Sequence, residues 1–225
     1  MQISLVSSFH DIPNEIHVLN LLFCEGLEVF HLRKNRANGS EIGHDKVTEE
    51  RLRDYIEKIP DCFRDRIILH SNFNLVQEYG LRGAHFTKRY EYADYLKDSN
   101  TAVDTKPFRK IGFSLHSTTE IETYSCAYDY LFLSPVFDSI SNIGYNSKFN
   151  LTRLKKFLNN VPCKSKIIAL GGMNDTKVEK VNELGFNGLS LLGFIWSHFE
   201  DNQDIVGAVN RYRRIEELRK QAING

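Results

Sequence analysis

Four of the eight histidines follow one pattern. His31, His70, His85 and His116 stand at or near the ends of four successive short apolar runs, "LEVFHL" (27–32), "RIILH" (66–70), "GAHF" (83–86) and "KIGFSLH" (110–116). Imidazole titrates near neutrality, so such residues can both take and give a proton. Any one of them, taken alone, is equally a strand cap or a filler. A cluster of imidazoles also suits a metal. A stable centre usually draws on a carboxylate or a further ligand, and the acids nearby, Asp94 and Asp138, are not at strand ends. The expectation is acid–base chemistry with no metal ligand set.

A second group concerns backbone amides. In "KIIALGGMND" (166–175) an apolar run stops at Gly171-Gly172, and a helical pattern begins at Asn174 or Asp175. In "GLSLLGF" (188–194) another run ends at Gly193-Phe194. The plain reading is a tight turn that needs positive φ. The chemical reading is bare N–H groups at Gly171, Gly172, Gly193 and Phe194, helped by a helix start, that hold a phosphate. Arg33, Lys34 and Arg36 add cations after "VFHL". They are either a solvated basic loop or, in the case of Arg33, a dock for a carboxylate.

These residues need a frame. The runs 3–7, 27–32, 66–70, 83–86, 110–116, 128–134, 166–170 and 188–192 have the length and apolar content of strands buried on both faces. Helical patterns lie between them, at 14–26, at 48–59 with a weak Thr48/Arg51 cap, and at 175–185 ending in Gly185. Strand–helix units in series predict a parallel sheet. Eight of them in 225 residues predict a single-domain (β/α)8 TIM barrel over 1–225, of the α/β class. An open doubly wound sheet is the alternative, but no G-x-G-x-x-G follows the first run. In a barrel the strands' C-terminal ends carry the chemistry, and the loops after the last two strands are the frequent phosphate site. The loosest stretches, 36–46 and 138–150, fall on that face.

Composition narrows the function. Net charge is zero, with 29 basic and 29 acidic residues, so no bulk field draws the chain to nucleic acid or a membrane surface. No apolar run approaches a membrane span, and "MQISLVSS" lacks a signal-like basic and apolar start. Cys24, Cys62, Cys126 and Cys163 show no C-x-x-C, which predicts reduced thiols, mostly used in packing, in a cytoplasmic protein.

Taken in order, "VFHLRKN", "GAHF", "IGFSLHS", "YDYLFLSPVF", "ALGGM" and "GLSLLGFIW" resemble the thiamine phosphate synthase and thiazole tautomerase (TenI) family over nearly the whole chain. The resemblance implies a (β/α)8 barrel, a thiamine-pathway reaction on a small-molecule thiazole phosphate, and in many members a homodimer. It also exposes departures. The synthase's two Mg²⁺-binding aspartates correspond here to Ser71 and Tyr90, and two of its pyrophosphate lysines to Asn35 and Asn142. A departing pyrophosphate needs strong charge neutralisation, and a hard cation needs carboxylate oxygen. The thiazole half, with Ser114, His116, Gly172 and the eighth-strand loop, is kept.

The resemblance then favours the tautomerase reaction, an aromatising proton shift that needs no cofactor. The phosphate falls to the amides near Gly172, Gly193 and Phe194, and the carboxylate to Arg33. His116 is the proton carrier, with His31 and His70 as second candidates. The synthase, which would require Mg²⁺, remains the alternative. A non-catalytic phosphate-ligand protein and a histidine–metal hydrolase stand behind it.

Overall fold

In the computed structural model, residues 1–34, 48–98, 107–140, 144 and 146–224 are described. Arg36, Asn35 and Asn142, and the whole stretch 36–46, lie outside them.

Eight parallel strands close into a barrel in sequence order: β1 (Gln2–Val6), β2 (Val29–Leu32), β3 (Ile67–Leu69), β4 (Gly83–Phe86), β5 (Lys110–Leu115), β6 (Tyr130–Leu133), β7 (Lys166–Leu170) and β8 (Gly188–Leu191). β1 pairs with β8, which closes the ring. The predicted (β/α)8 barrel is therefore the fold, and every strand falls within a residue or two of its apolar run. Helices α1 (Glu15–Cys24), α2 (Glu49–Glu57), α3 (Asp61–Arg64), α4 (Asn74–Glu78), α5 (Tyr92–Asp98), α6 (Thr118–Tyr124), α7 (Leu151–Asn160), α8 (Val178–Leu184), α9 (Gly193–Asn202) and α10 (Ile205–Asn224) surround it. The Thr48 cap forms, its hydroxyl accepting from the Arg51 amide at 3.4 Å. Among the described residues no helix is long and apolar enough to cross a membrane.

The strands' period of two divides the core. Outward residues such as Leu5, Phe30, Leu69, Phe113, Leu131 and Leu189 join the helices in one large cluster. Inward residues Val6, Val29, Ile68, Tyr130, Phe132 and Ile168 form a separate cluster inside the barrel. The same alternation turns Ser4, His31, His85, Ser114 and Ser190 inward. Thus polar side chains occupy several interior places that an ordinary barrel fills with Val, Ile or Leu.

Two expectations are corrected. Cys24, Cys62 and Cys126 are exposed and only Cys163 is half-buried, so these thiols are free but do little packing. The helix after β7 does not start cleanly at Asn174 or Asp175: a 3-10 turn, Asp175–Lys177, precedes the seven-residue α8. The dipole at that end is correspondingly short.

Candidate active site

The C-terminal end of the barrel holds a cavity of about 290 Å³ whose walls include Arg33, His116, Gly171, Gly172 and Gly193. Five residues singled out in the sequence, from the ends of β2, β5, β7 and β8, thus meet around one space.

Each is held there by local structure. The Ser7 hydroxyl donates to the Arg33 carbonyl at 2.7 Å and accepts from its amide at 2.9 Å, tying the end of β2 to β1. The Arg33 guanidinium sits 4.8 Å above the Phe9 ring, which shares the cavity wall. At His116 the backbone amide donates to Glu120 at 2.7 Å. Glu120 also completes the capping box of α6 with Ser117 and pairs with Lys88. The His116 ring reaches across to β6, where Nδ1 lies 2.8 Å from the Ser134 carbonyl.

The glycine pair answers to sterics before chemistry. Gly171 and Gly172 have φ of +93° and +66°. A Cβ on Gly172 would lie 2.3 Å from the Asp138 carbonyl oxygen, and one on Gly171 would lie 2.7 Å from Pro135. The loop after β6 is bound to this turn by Val136 N–H to Leu170 O and Phe137 N–H to Gly171 O. The positive-φ reading holds, and the turn that needs glycine also lines the cavity. At β8, α9 begins at Gly193 directly, and its first returning bonds run from the Ile195 and Trp196 amides to Leu192 O. The Gly193 and Phe194 N–H groups precede that ladder, as the first amides of any helix do.

Other predicted residues lie elsewhere. Phe194 packs its ring against the outer core, leaving only its backbone near the mouth. Lys34 is buried on the helix side of the barrel, where it pairs with buried Glu15 of α1 and donates to His10 O at 2.8 Å, so it adds no cation to the cavity. Ser114 donates or accepts at 2.7 Å with His85 Nε2. His31 and His70 sit below the mouth, with His31 Nδ1 and His70 Nε2 3.2 Å apart. Burial pushes His31, His70 and His85 down, His31 to about 3. Tyr90, at a magnesium-aspartate position of the resemblance, donates its hydroxyl to Asp98 at 3.0 Å.

One residue was missed. Ser190, on β8, lines the cavity, and its Oγ is buried with no hydrogen-bond partner among the described residues. Its signal was a polar residue at the inward place of "GLSLL". A second cavity of about 320 Å³ opens at the opposite end of the barrel, beside Met1, Arg82, Lys110 and Lys166. That end of such barrels serves stability rather than chemistry.

The thiamine monophosphate synthase (TMP-TENI) family model matches residues 5–195. The chain belongs to this family. Its members are enzymes of thiamine biosynthesis. A curated relative, a thiamine-phosphate synthase of Listeria welshimeri, is 25% identical over 174 residues, covering 76% of this chain and 78% of that one. A solved thiamine phosphate pyrophosphorylase from Bacteroides thetaiotaomicron superposes with a TM-score of 0.76 at 24% identity, over 98% of both chains. A Pyrococcus furiosus thiamine phosphate pyrophosphorylase gives 0.72 at 13% identity, over 99% of this chain and 96% of that one. At such identities the likeness to solved structures speaks for the barrel.

Proposed function

We propose that this TMP-TENI chain is an isomerase that aromatises a carboxythiazole phosphate by proton transfer, without Mg²⁺. The observation that carries the reading is the meeting of Arg33, His116 and the two glycine turns around one cavity. The phosphate is gripped by the N–H groups of the Gly171-Gly172 and Gly193-Phe194 turns. Arg33 takes the carboxylate as a planar, bidentate partner. His116 moves the proton. A carbonyl only accepts, so the bond to Ser134 O makes Nδ1 the protonated nitrogen and leaves Nε2 as the base. Nε2 takes a proton from the non-aromatic ring and a proton is returned at another atom. The substrate gains aromaticity and no group leaves.

Ser71 and Tyr90 support this choice over the synthase. Without carboxylates at those two positions, Mg²⁺ loses the hard oxygens that would hold it beside a pyrophosphate. The synthase stays as the second reading because the Listeria welshimeri relative carries that name. One experiment separates them. The full chain is given the non-aromatic thiazole phosphate, and aromatisation is followed with and without chelator. In parallel it is given the pyrimidine pyrophosphate and aromatic thiazole phosphate, with and without Mg²⁺. Chelator-resistant aromatisation that weakens in Arg33→Gln is expected. Mg²⁺-dependent thiamine phosphate with no aromatisation would overturn the proposal.

A further inference from the structure

Beneath the mouth, one layer of the barrel interior is made of imidazoles. His31 on β2, His70 just beyond β3 and His85 on β4 come from three neighbouring strands, and one ring nitrogen of each lies within 4.8 Å of the others. The His70 and His85 rings stack at 4.4 Å, and His31 stands edge-on to both. Around them the filling is Val6, Val29, Ile68, Phe132 and Ile168, as expected of a barrel core. Polar rings in such a place carry a desolvation cost that an aliphatic layer would avoid.

We propose that His31, His70 and His85 form a binding site for a single zinc-class divalent ion inside the barrel, separate from the groups that line the mouth.

Donor chemistry selects the class of ion. Three imidazoles with no carboxylate among them make a borderline-soft nitrogen set, suited to Zn²⁺ or Co²⁺ and unsuited to Mg²⁺ or Ca²⁺. Three histidines are a sufficient protein ligand set for zinc, the fourth position going to an oxygen. The missing carboxylate, which weighed against a metal in the sequence, is thus no obstacle.

Geometry agrees. Nitrogens about 2.0–2.1 Å from a tetrahedral zinc are about 3.3 Å from each other. His31 Nδ1 and His70 Nε2 already stand 3.2 Å apart. That separation is a hydrogen bond when one nitrogen carries a proton, and an edge of a coordination tetrahedron when neither does. The third nitrogen joins the set only when the His70–His85 stack opens, because rings 20° from parallel do not aim their in-plane lone pairs at one atom.

The surroundings also match. A ligating histidine usually gives its other N–H to an outer partner. His85 Nδ1 lies 2.9 Å from the Tyr130 hydroxyl, which leaves Nε2 for the ion. Gly112 makes that contact possible, since a Cβ there would lie 1.9 Å from the Tyr130 ring. Nε2 bonds Ser114 Oγ at 2.7 Å, so the serine hydroxyl turns away when that nitrogen ligates. Arg33 and Arg82 disfavour positive charge at this cluster, which keeps the rings neutral as ligands but also opposes the dication that the three nitrogens must hold.

The test uses the untagged full chain, stripped by chelation and titrated with Co²⁺ and then Zn²⁺. One tetrahedral Co²⁺ per chain by its visible absorption, displaced by Zn²⁺, is expected. Affinity should fall about 10- to 100-fold in Tyr130→Phe and further in His70→Ala. It should hold in a variant with exposed His10, His17 and His198 all changed to Gln. Binding lost in that surface variant, or kept in a folded His70→Ala, would overturn the site. A zinc-soaked crystal decides the matter even where a variant fails to fold. Anomalous density between the three rings is expected, and its absence at saturating zinc refutes the proposal. The inference does not rest on the reaction at the mouth, so its failure leaves the isomerase reading standing.

Discussion

The Nδ1 nitrogen of His116 lies 2.8 Å from the carbonyl oxygen of Ser134, so a bond between β5 and β6 dictates which ring nitrogen is the base. Asparagine can keep an N–H for that carbonyl but offers no base. His116→Asn should lower kcat by about 10²- to 10⁴-fold while leaving ligand affinity nearly unchanged. Single-turnover rates and calorimetric affinity check this. Unchanged turnover would remove His116 from the chemistry.

Gly172 should tolerate no side chain. Its φ of +66° costs an L-residue about 1–2 kcal/mol, before the collision of a Cβ with Asp138 O at 2.3 Å. Gly172→Ala is therefore expected to lower the urea midpoint and to raise KM for the phosphorylated substrate. A Gly172→Ala protein of native stability and native KM would show that this turn neither strains nor binds.

Ser190 separates ligand contact from packing. Its hydroxyl is buried beside the cavity and lacks a partner among the described residues, so Ser190→Ala removes no hydrogen bond from the protein alone. Stability should hold or rise slightly. Affinity for the phosphorylated ligand should fall several-fold, the worth of about 1 kcal/mol for one hydrogen bond. Equal affinity in both proteins would leave the hydroxyl without a role in binding.

Glu15 and Lys34 form an ion pair whose side chains are 3% and 1% exposed. Burial raises the Glu15 pKa and lowers that of Lys34, each against the pull of its partner. Glu15→Ala strands a buried ammonium and should cost about 3–5 kcal/mol. The double variant Glu15→Leu/Lys34→Met should recover most of that loss. Chemical denaturation of the wild type, Glu15→Leu, Lys34→Met and the double variant forms the double-mutant cycle, and strict additivity would refute the coupling.

Glu120 carries a pH signature. Burial pulls its carboxyl upward, but Lys88 and the amides of His116 and Ser117 outweigh it and hold the group below its ordinary range. A carboxyl depressed in the fold contributes stability above its unfolded pKa of about 4.3, and that contribution is lost as pH falls through the folded value. Glu120→Ala should thus be less stable by about 1 kcal/mol at pH 7, from the lost cap, and the gap should close on acidification below pH 4. Thermal melts across that range measure it. A gap independent of pH would mean the charge contributes nothing.

Two kinds of information are divided here by physical range. Strand number, order and inward-facing residues were legible in the chain, because a fully buried strand needs a short apolar run and its side chains alternate every second residue. Strand ends alone set Arg33, His116 and the glycine turns at the C-terminal end, whereas the same alternation along "GLSLL" that turns Ser190 to the axis went unread. The glycines at 171 and 172 were visible too, although their sequence does not say that the loop from Pro135 to Asp138 presses against them.

Only closure of the barrel decided which of these residues meet. His31 and His70 are 39 residues apart, and their 3.2 Å contact follows from strand register and tilt, which no local pattern encodes. The same holds for Lys34. Its place after β2 reads as a cation for the mouth, but a long flexible stem lets its ammonium turn back to Glu15 on α1, where a buried carboxylate outcompetes water. Local periodicity determined the frame and the end at which chemistry occurs. Packing across the closed ring determined that Arg33, His116, Gly171, Gly172 and Gly193 share a cavity, while His31, His70 and His85 form a layer of their own beneath it.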